Sequence, residues 1–237
     1  MSTVEALPID VPSRLRALLR GEPDAAAFWL REGKLTWLGT CVVVIVLGSG
    51  LYGATVGLWH APQQALYTAI KFPLLILLTT AGNAVLNGML GLLLGTGLSF
   101  RQTSMAIVLS FTLAALVLAS FSPITLFVLV NTPSLASGGA GHSVLQVTHV
   151  ALIAFVGVMA NVRLLRLIEF VSGNRLAARR ALFAWLAGNL LLGSQIAWIL
   201  RPFVGTPGLP IEFVRDDALR GNFFESIFST ILGLFGS

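Results

Sequence analysis

The sequence predicts an all-α, polytopic membrane protein: a bundle of five transmembrane helices with an amphipathic interfacial helix at each end. Hydrophobic residues make up 56% of the 237 residues and charged residues only 11%, whereas a soluble chain carries roughly 25% charged residues. Five apolar stretches are long enough to cross a hydrocarbon core of about 30 Å, which takes about 20 helical residues. This composition excludes an ordinary soluble protein.

Residues 1–35 are predicted to form an N-terminal tail with one amphipathic helix. Within Val11–Arg20, leucines and arginines separate onto opposite faces at helical spacing, a pattern typical of helices that lie on a membrane surface. The first apolar run starts only near Thr36, too late and too long for a cleavable signal peptide. We therefore expect that run to remain as a membrane anchor.

Residues 36–203 are predicted to form the transmembrane domain. The five expected spans are 36–58, 65–95, 103–131, 144–171 and 178–203. The second to fourth exceed the minimum length, so these helices should tilt or extend beyond the headgroups. Short connections make consecutive helices antiparallel neighbours.

The orientation follows from the distribution of Lys and Arg. Of the 15 basic residues, eleven lie in the N-terminal tail or beside the second and fourth connections, and four lie on the other side. Basic residues concentrate in cytoplasmic loops, so the N-terminus is predicted to be cytoplasmic. An odd number of spans then places the C-terminus across the membrane.

Residues 204–237 are predicted to form an extracytoplasmic tail. Apolar and polar side chains alternate at helical spacing from Asp216 to Phe235, which favours a helix lying along the outer surface. The alternatives are a re-entrant helix or a sixth span. A sixth span would return the C-terminus to the cytoplasm.

Uncharged polar residues within the predicted spans are the strongest candidates for a functional site. The set is Asn83, Asn87, Asn161, Asn189 and Gln195. Such groups either hydrogen bond between helices and hold a membrane bundle together or line a polar transport path. Periodicity does not distinguish these two interpretations.

Lys71 is a charged residue within the second predicted span. Its long side chain could extend its ammonium to the headgroups, or it could be a counter-ion for a lipid phosphate or for a carboxylate of the tail. The candidate carboxylates are Glu212, Asp216 and Asp217. Lys71 is therefore a candidate lipid or partner contact.

Enzymatic and metal chemistry find no support in the sequence. The three histidines form no i, i+4 pair, Cys41 is the single cysteine, and no metalloprotease, nucleophile-elbow or phosphate-loop motif is present. We predict no catalytic residue, metal or cofactor. The net charge of +5 is assigned to the membrane-facing loops rather than to nucleic acid.

The stretch that ends the fifth span reads Trp198-Ile-Leu-Arg201-Pro-Phe-Val-Gly205, and Gly221-Asn-Phe223 follows it. Over about 28 residues this stretch resembles a group of uncharacterised bacterial multi-pass membrane proteins, a likeness that implies the bacterial cytoplasmic (inner) membrane. The five-span layout is also similar to that of the Yip1 superfamily of membrane-trafficking proteins. Trp198 and Arg201 are further candidate lipid or partner contacts.

Two functions compete. Small-residue pairs at GxxxG spacing, Gly53 with Gly57 and Gly91 with Gly95, favour close helix packing and a non-enzymatic subunit or scaffold that binds membrane lipids and a protein partner or further copies of itself. The polar set and Lys71 favour a small-solute or lipid transporter. The transporter hypothesis predicts a cavity lined by the polar side chains.

Overall fold

The structure, a computed structural model, describes residues 10–32, 35–132, 140–205 and 209–225. These residues form seven α-helices. The helices are α1 (Val11–Arg20), α2 (Pro23–Glu32), α3 (Leu35–Gly57), α4 (Pro62–Leu93), α5 (Phe100–Val130), α6 (Ala140–Ser172) and α7 (Arg175–Ile199).

Helices α3 to α7 are each long and apolar enough to cross a membrane, which confirms the predicted helical bundle. Large apolar side chains are exposed on every one of them, for example Leu47, Leu78, Phe127, Val158 and Leu190. In water these surfaces would be unfavourable, but lipid chains solvate them well. The protein is therefore a multi-pass membrane protein.

The two ends of the bundle differ. The end that we call the basic end carries α1, α2 and the connections 94–99 and 173–174. The opposite end, the tail end, carries the connection 58–61 and the described residues after α7.

Helices α1 and α2 form a hairpin at the basic end. The predicted helix α1 is confirmed with its bounds, and Gly21 ends it in the left-handed conformation, with φ of 71°. Helix α2 was not predicted, and its Trp29 and Leu30 are buried among the spanning helices. Leu18 of α1 is also buried, so part of the predicted lipid-facing surface packs on protein instead.

The spanning helices do not pack equally. Helix α3 packs extensively against α4 and α5, while α4 also contacts α7 and α5 also contacts α6. The least extensive contact among these neighbours is between α6 and α7. These two helices share a short connection at the basic end and leave a cleft between them.

Of the two glycine pairs, only Gly53 with Gly57 serves helix packing as a pair. A β-carbon built on Gly53 would lie 2.5 Å from the main-chain oxygen of Thr68, and one built on Gly57 would lie 2.4 Å from that of Gln64. The first pair therefore allows close contact between α3 and α4. In the second pair, Gly95 lies beyond the end of α4 with a positive φ and has no neighbour within 4 Å of its β-carbon position.

The described part of the C-terminal tail is not one continuous helix. Residues 216–221 form turns, and helical structure begins only at Phe223. The predicted helix from Asp216 is thus wrong at its start. Its remainder, 226–235, lies outside the described residues.

Candidate functional site

A cleft of about 590 Å³ lies between α4, α5, α6 and α7. This volume is within the range of about 300–1,000 Å³ that small-molecule sites occupy. Val56 of α3 and residues Phe203 and Val204, which follow α7, complete the lining. The loose contact between α6 and α7 positions this cleft.

The cleft opens sideways, toward the membrane. Three of its lining residues, Val150 and Ile153 of α6 and Leu190 of α7, are also exposed on the surface of the bundle, at 61%, 42% and 69% respectively. They belong to the central parts of helices that cross the membrane. The opening therefore faces lipid chains rather than water.

The hairpin lies at the basic end of the cleft. Ser110 and Ala160 line the cleft and also line a second, much smaller space of about 40 Å³, whose other walls include Leu18, Gly21 and Ala26 of the hairpin. The hairpin therefore adjoins the cleft through this smaller space.

Residues 201–205, which we call the strap, close the cleft at the tail end. Gln64 Nε2 donates to the main-chain oxygens of Pro202, at 3.1 Å, and Phe203, at 2.8 Å. Thr68 Oγ1 donates to the same Phe203 oxygen at 2.9 Å. Helix α4 thereby holds Phe203 and Val204 against the cleft.

Lys71 also binds the strap, which corrects both sequence-based hypotheses for this residue. Its side chain is fully buried within the protein, so it does not contact lipid. Its Nζ donates to the main-chain oxygen of Pro202 at 2.6 Å and lies 3.5 Å from that of Glu212. The rings of Phe203 and Phe213 lie 5.9 Å and 5.2 Å from Nζ. Main-chain oxygens and aromatic rings thus take the place of the predicted carboxylate.

Trp198 and Arg201 likewise make contacts within the chain. The Arg201 guanidinium lies over the Trp198 ring, 3.7 Å from its centroid, and Nη1 donates to the Trp198 oxygen at 2.9 Å. Arg201 Nη2 lies 3.2 Å from Asp217 Oδ1. The pair therefore joins the end of α7 to the tail.

The predicted polar set divides into three groups. Asn161 and Asn189 line the cleft, as the transport hypothesis requires. Asn83 Nδ2 donates to the Thr79 oxygen at 2.9 Å, and Asn87 Nδ2 donates to Asn83 Oδ1 at 3.2 Å. These two are fully buried in the bundle.

The remaining member, Gln195, accepts a hydrogen bond from the main-chain nitrogen of Phe223 at 3.3 Å. It therefore holds the tail rather than facing the cleft. The interpretation as packing residues applies to Asn83 and Asn87, and the interpretation as lining residues applies to Asn161 and Asn189.

Four uncharged polar side chains lie near the middle of the four helices that form the cleft. They are Thr79 of α4, Ser110 of α5, Asn161 of α6 and Asn189 of α7. The lining that the structure describes contains no Lys, Arg, Asp or Glu. The cleft is thus apolar, uncharged and able to form a few hydrogen bonds at mid-membrane depth.

Two of these side chains have a buried polar atom without a hydrogen-bond partner in the structure, Thr79 Oγ1 and Asn189 Oδ1. Gly193 of α7 stands beside Thr79, because a β-carbon built on it would lie 3.7 Å from Thr79 Cγ2. Asn189 precedes Gly193 by one helical turn and so shares its face of α7. Thr79 and Asn189 therefore lie on one wall of the cleft.

The candidate residues chosen from the sequence omit five polar residues of the lining, Thr79, Ser110, Gln146, His149 and Ser194. His149 lines the cleft and is buried, and its Nδ1 lies 2.9 Å from the hydroxyl of Tyr52. A single polar residue on an apolar helix gives no sign of which neighbour it faces.

Within the described ranges, no cluster of three or more His, Cys, Asp or Glu side chains is placed to hold a metal.

The chain matches no known protein family, no curated protein and no solved structure. The resemblance to bacterial multi-pass proteins and to the Yip1 superfamily stays a prediction. The functional argument therefore depends on the cleft itself.

Proposed function

We propose that this protein binds membrane lipids in the cleft between α6 and α7 and acts as a lipid-handling permease. The observation that carries the proposal is the cleft of about 590 Å³, whose lining includes lipid-exposed residues of both helices. An apolar site with a few polar groups is typical of small-molecule binding. A lateral opening gives lipids access from within the bilayer.

The closed ends favour a lipid over a water-soluble solute. A path for a solute needs an opening to water on at least one side, but the hairpin covers one end and the strap covers the other. A lipid needs neither opening, because it enters between two helices. This contrast makes the lipid the preferred substrate of the transport hypothesis.

The alternative, a non-enzymatic subunit or scaffold, stays a prediction with less support. The glycine pair that favoured helix association, Gly53 with Gly57, is used by α4 of the same chain. That surface is therefore not free to bind a partner. The expected absence of enzymatic activity is likewise a prediction.

We further propose that the protein lies in a bacterial cytoplasmic membrane with its basic end in the cytoplasm. Eleven of 15 Lys and Arg residues support this orientation, since basic residues favour the cytoplasmic side. The cleft then opens in the plane of the membrane, and the strap faces the outer surface.

Filling the cleft tests the proposed function. Gly157 lines the cleft, and nothing lies within 4 Å of a β-carbon built on it, so Gly157→Leu places a side chain in the cleft without a clash at its β-carbon. Gly39→Leu is the matched control, because Gly39 is exposed on α3 and also has no neighbour within 4 Å. Native mass spectrometry of the purified proteins measures the lipid that each retains.

We expect the wild type and Gly39→Leu to retain a stoichiometric lipid and Gly157→Leu to lose most of it. Retention of the same lipid by Gly157→Leu would contradict the proposal. So would a wild-type protein without bound lipid after extraction in mild detergent.

A further inference from the structure

The charge of the cleft limits which lipids it can hold. A charged group near the middle of a bilayer is costly unless a partner compensates it. The lining offers no charged side chain within the described residues, and Lys71 is occupied by the strap. A phosphate or another ionised headgroup would therefore enter this cleft without a counter-ion.

The two orphaned atoms indicate what the cleft can hold instead. Thr79 is 94% buried, its exposed fraction being 6%, and its hydroxyl has no partner in the structure. A buried polar group without a partner is destabilising and calls for an explanation. On the facing helix, Asn189 is partly buried, but its Oδ1 atom is buried and also has no partner in the structure.

A hydroxyl group has the chemistry that both atoms lack. As an acceptor it can take a hydrogen bond from a threonine hydroxyl, and as a donor it can give one to an asparagine oxygen. We propose that the ligand of the cleft is an uncharged lipid alcohol, such as a diacylglycerol, with its hydroxyl between Thr79 and Asn189 and its chains directed through the α6–α7 opening. This inference rests on the proposed function and specifies its substrate class.

Two photoactivatable lipids test the inference. Dioleoylglycerol and dioleoyl phosphatidic acid carry the same acyl chains and differ by one phosphate, so their comparison isolates the charge. Each is added at equal amounts to phosphatidylcholine nanodiscs that contain the protein, and photolabelling is quantified. We expect the diacylglycerol to label the protein about tenfold or more above phosphatidic acid.

The variants Thr79→Val and Asn189→Leu remove the polar atoms at nearly constant size. Each should lower diacylglycerol labelling by about three- to tenfold through the lost hydrogen bond and leave phosphatidic acid labelling unchanged. The control is Thr112→Val, because Thr112 is a buried threonine of α5 that bonds the Val108 oxygen at 2.8 Å and does not line the cleft. It should label like the wild type.

The outcomes separate the inference from the proposed function. Equal or stronger labelling by phosphatidic acid, or full labelling of both Thr79→Val and Asn189→Leu, would overturn the alcohol as ligand. If Gly157→Leu nevertheless abolishes the photolabelling seen in the wild type, the proposal that lipid binds in the cleft is still supported. Absence of labelling by either lipid in the wild type would overturn both.

Discussion

At the scale of single residues, arginines that predict the orientation also hold the hairpin. Arg163 of α6 donates through Nη1 to the Arg20 oxygen at 2.6 Å, and Arg101 of α5 donates through Nη2 to the Glu32 oxygen at 2.8 Å. The last carbonyls of a helix lack partners within it, and a cation there is favourable. These two arginines therefore cap both helices of the hairpin.

Gly21→Ala should weaken the hairpin more than backbone strain alone explains. Gly21 has a φ of 71°, and a β-carbon on it would lie 1.6 Å from Arg163 Nη1, whereas Gly95, with a φ of 67°, has no neighbour within 4 Å. Strain at a left-handed residue costs about 1–2 kcal/mol in either variant. Gly21→Ala also displaces Arg163 from Arg20, which adds about 1 kcal/mol.

The measurement is the apparent unfolding temperature in detergent, with Gly95→Ala as the control. Gly21→Ala should unfold at the lower temperature of the two. Equal unfolding temperatures would show that the Arg163 contact contributes nothing.

The sequence indicates which residues are unusual for a membrane helix, but not which residues they contact. Lys71 and Asn189 stand out because polar groups are rare in apolar helices, and both have a specific environment. That Lys71 binds the main chain of the strap depends on how the chain folds back after α7, and no local pattern encodes that. The same holds for Thr79, whose role depends on the position of α7.

At the scale of helices, the contact between α3 and α4 depends on the absence of side chains. The main chains approach so closely at Gly53 that a β-carbon would lie 2.5 Å from the Thr68 oxygen. Because that oxygen belongs to the backbone, α3 and α4 would have to move apart to accommodate it.

Gly53→Ala should therefore destabilise the bundle by about 1–3 kcal/mol, the usual cost of overpacking. Gly39→Ala on the same helix meets no atom within 4 Å and gains helix propensity, up to about 1 kcal/mol. Chemical or thermal unfolding in detergent compares them. A Gly53→Ala variant as stable as Gly39→Ala would contradict close packing at this contact.

The spanning helices were predictable because the thickness of the hydrocarbon core sets their length. Helix α2 escaped prediction, since it has only ten residues and charged residues near both ends, Asp24 in the first turn and Arg31 in the last. A short helix with that composition resembles a polar connection. Its burial of Trp29 and Leu30 comes from the surrounding helices.

At the scale of the whole molecule, the five spans place α1 and the described residues after α7 on opposite sides of the membrane. Cys41, the single cysteine, is fully buried, so introduced cysteines can be labelled without background. Arg16 and Arg175 are exposed at the basic end, and Gln63 and Asp216 are exposed at the tail end.

A membrane-impermeant maleimide should label Arg16→Cys and Arg175→Cys from one side only. Gln63→Cys and Asp216→Cys should react from the other side, as measured in sealed vesicles of both orientations. Reaction of Asp216→Cys on the same side as Arg16→Cys would contradict the arrangement of the tail.

The order of the helices around the cleft could not be predicted from the sequence. Hydropathy and loop length establish that α6 and α7 are antiparallel neighbours, but not that they diverge. That divergence follows from α7 packing on α4 while α6 packs on α5. The apolar faces that direct this choice are alike in composition.

The hairpin at the basic end also constrains the order in which the protein is made. It is synthesised before the spans, yet α5 and α6, which help to bury it, follow only after two spans have been made. Domains that fold during synthesis usually assemble from the N-terminus onward. Here a segment translated before the spans is among the last to find its place, so Trp29 and Leu30 lack their neighbours on α5 and α6 until the fourth span has been made.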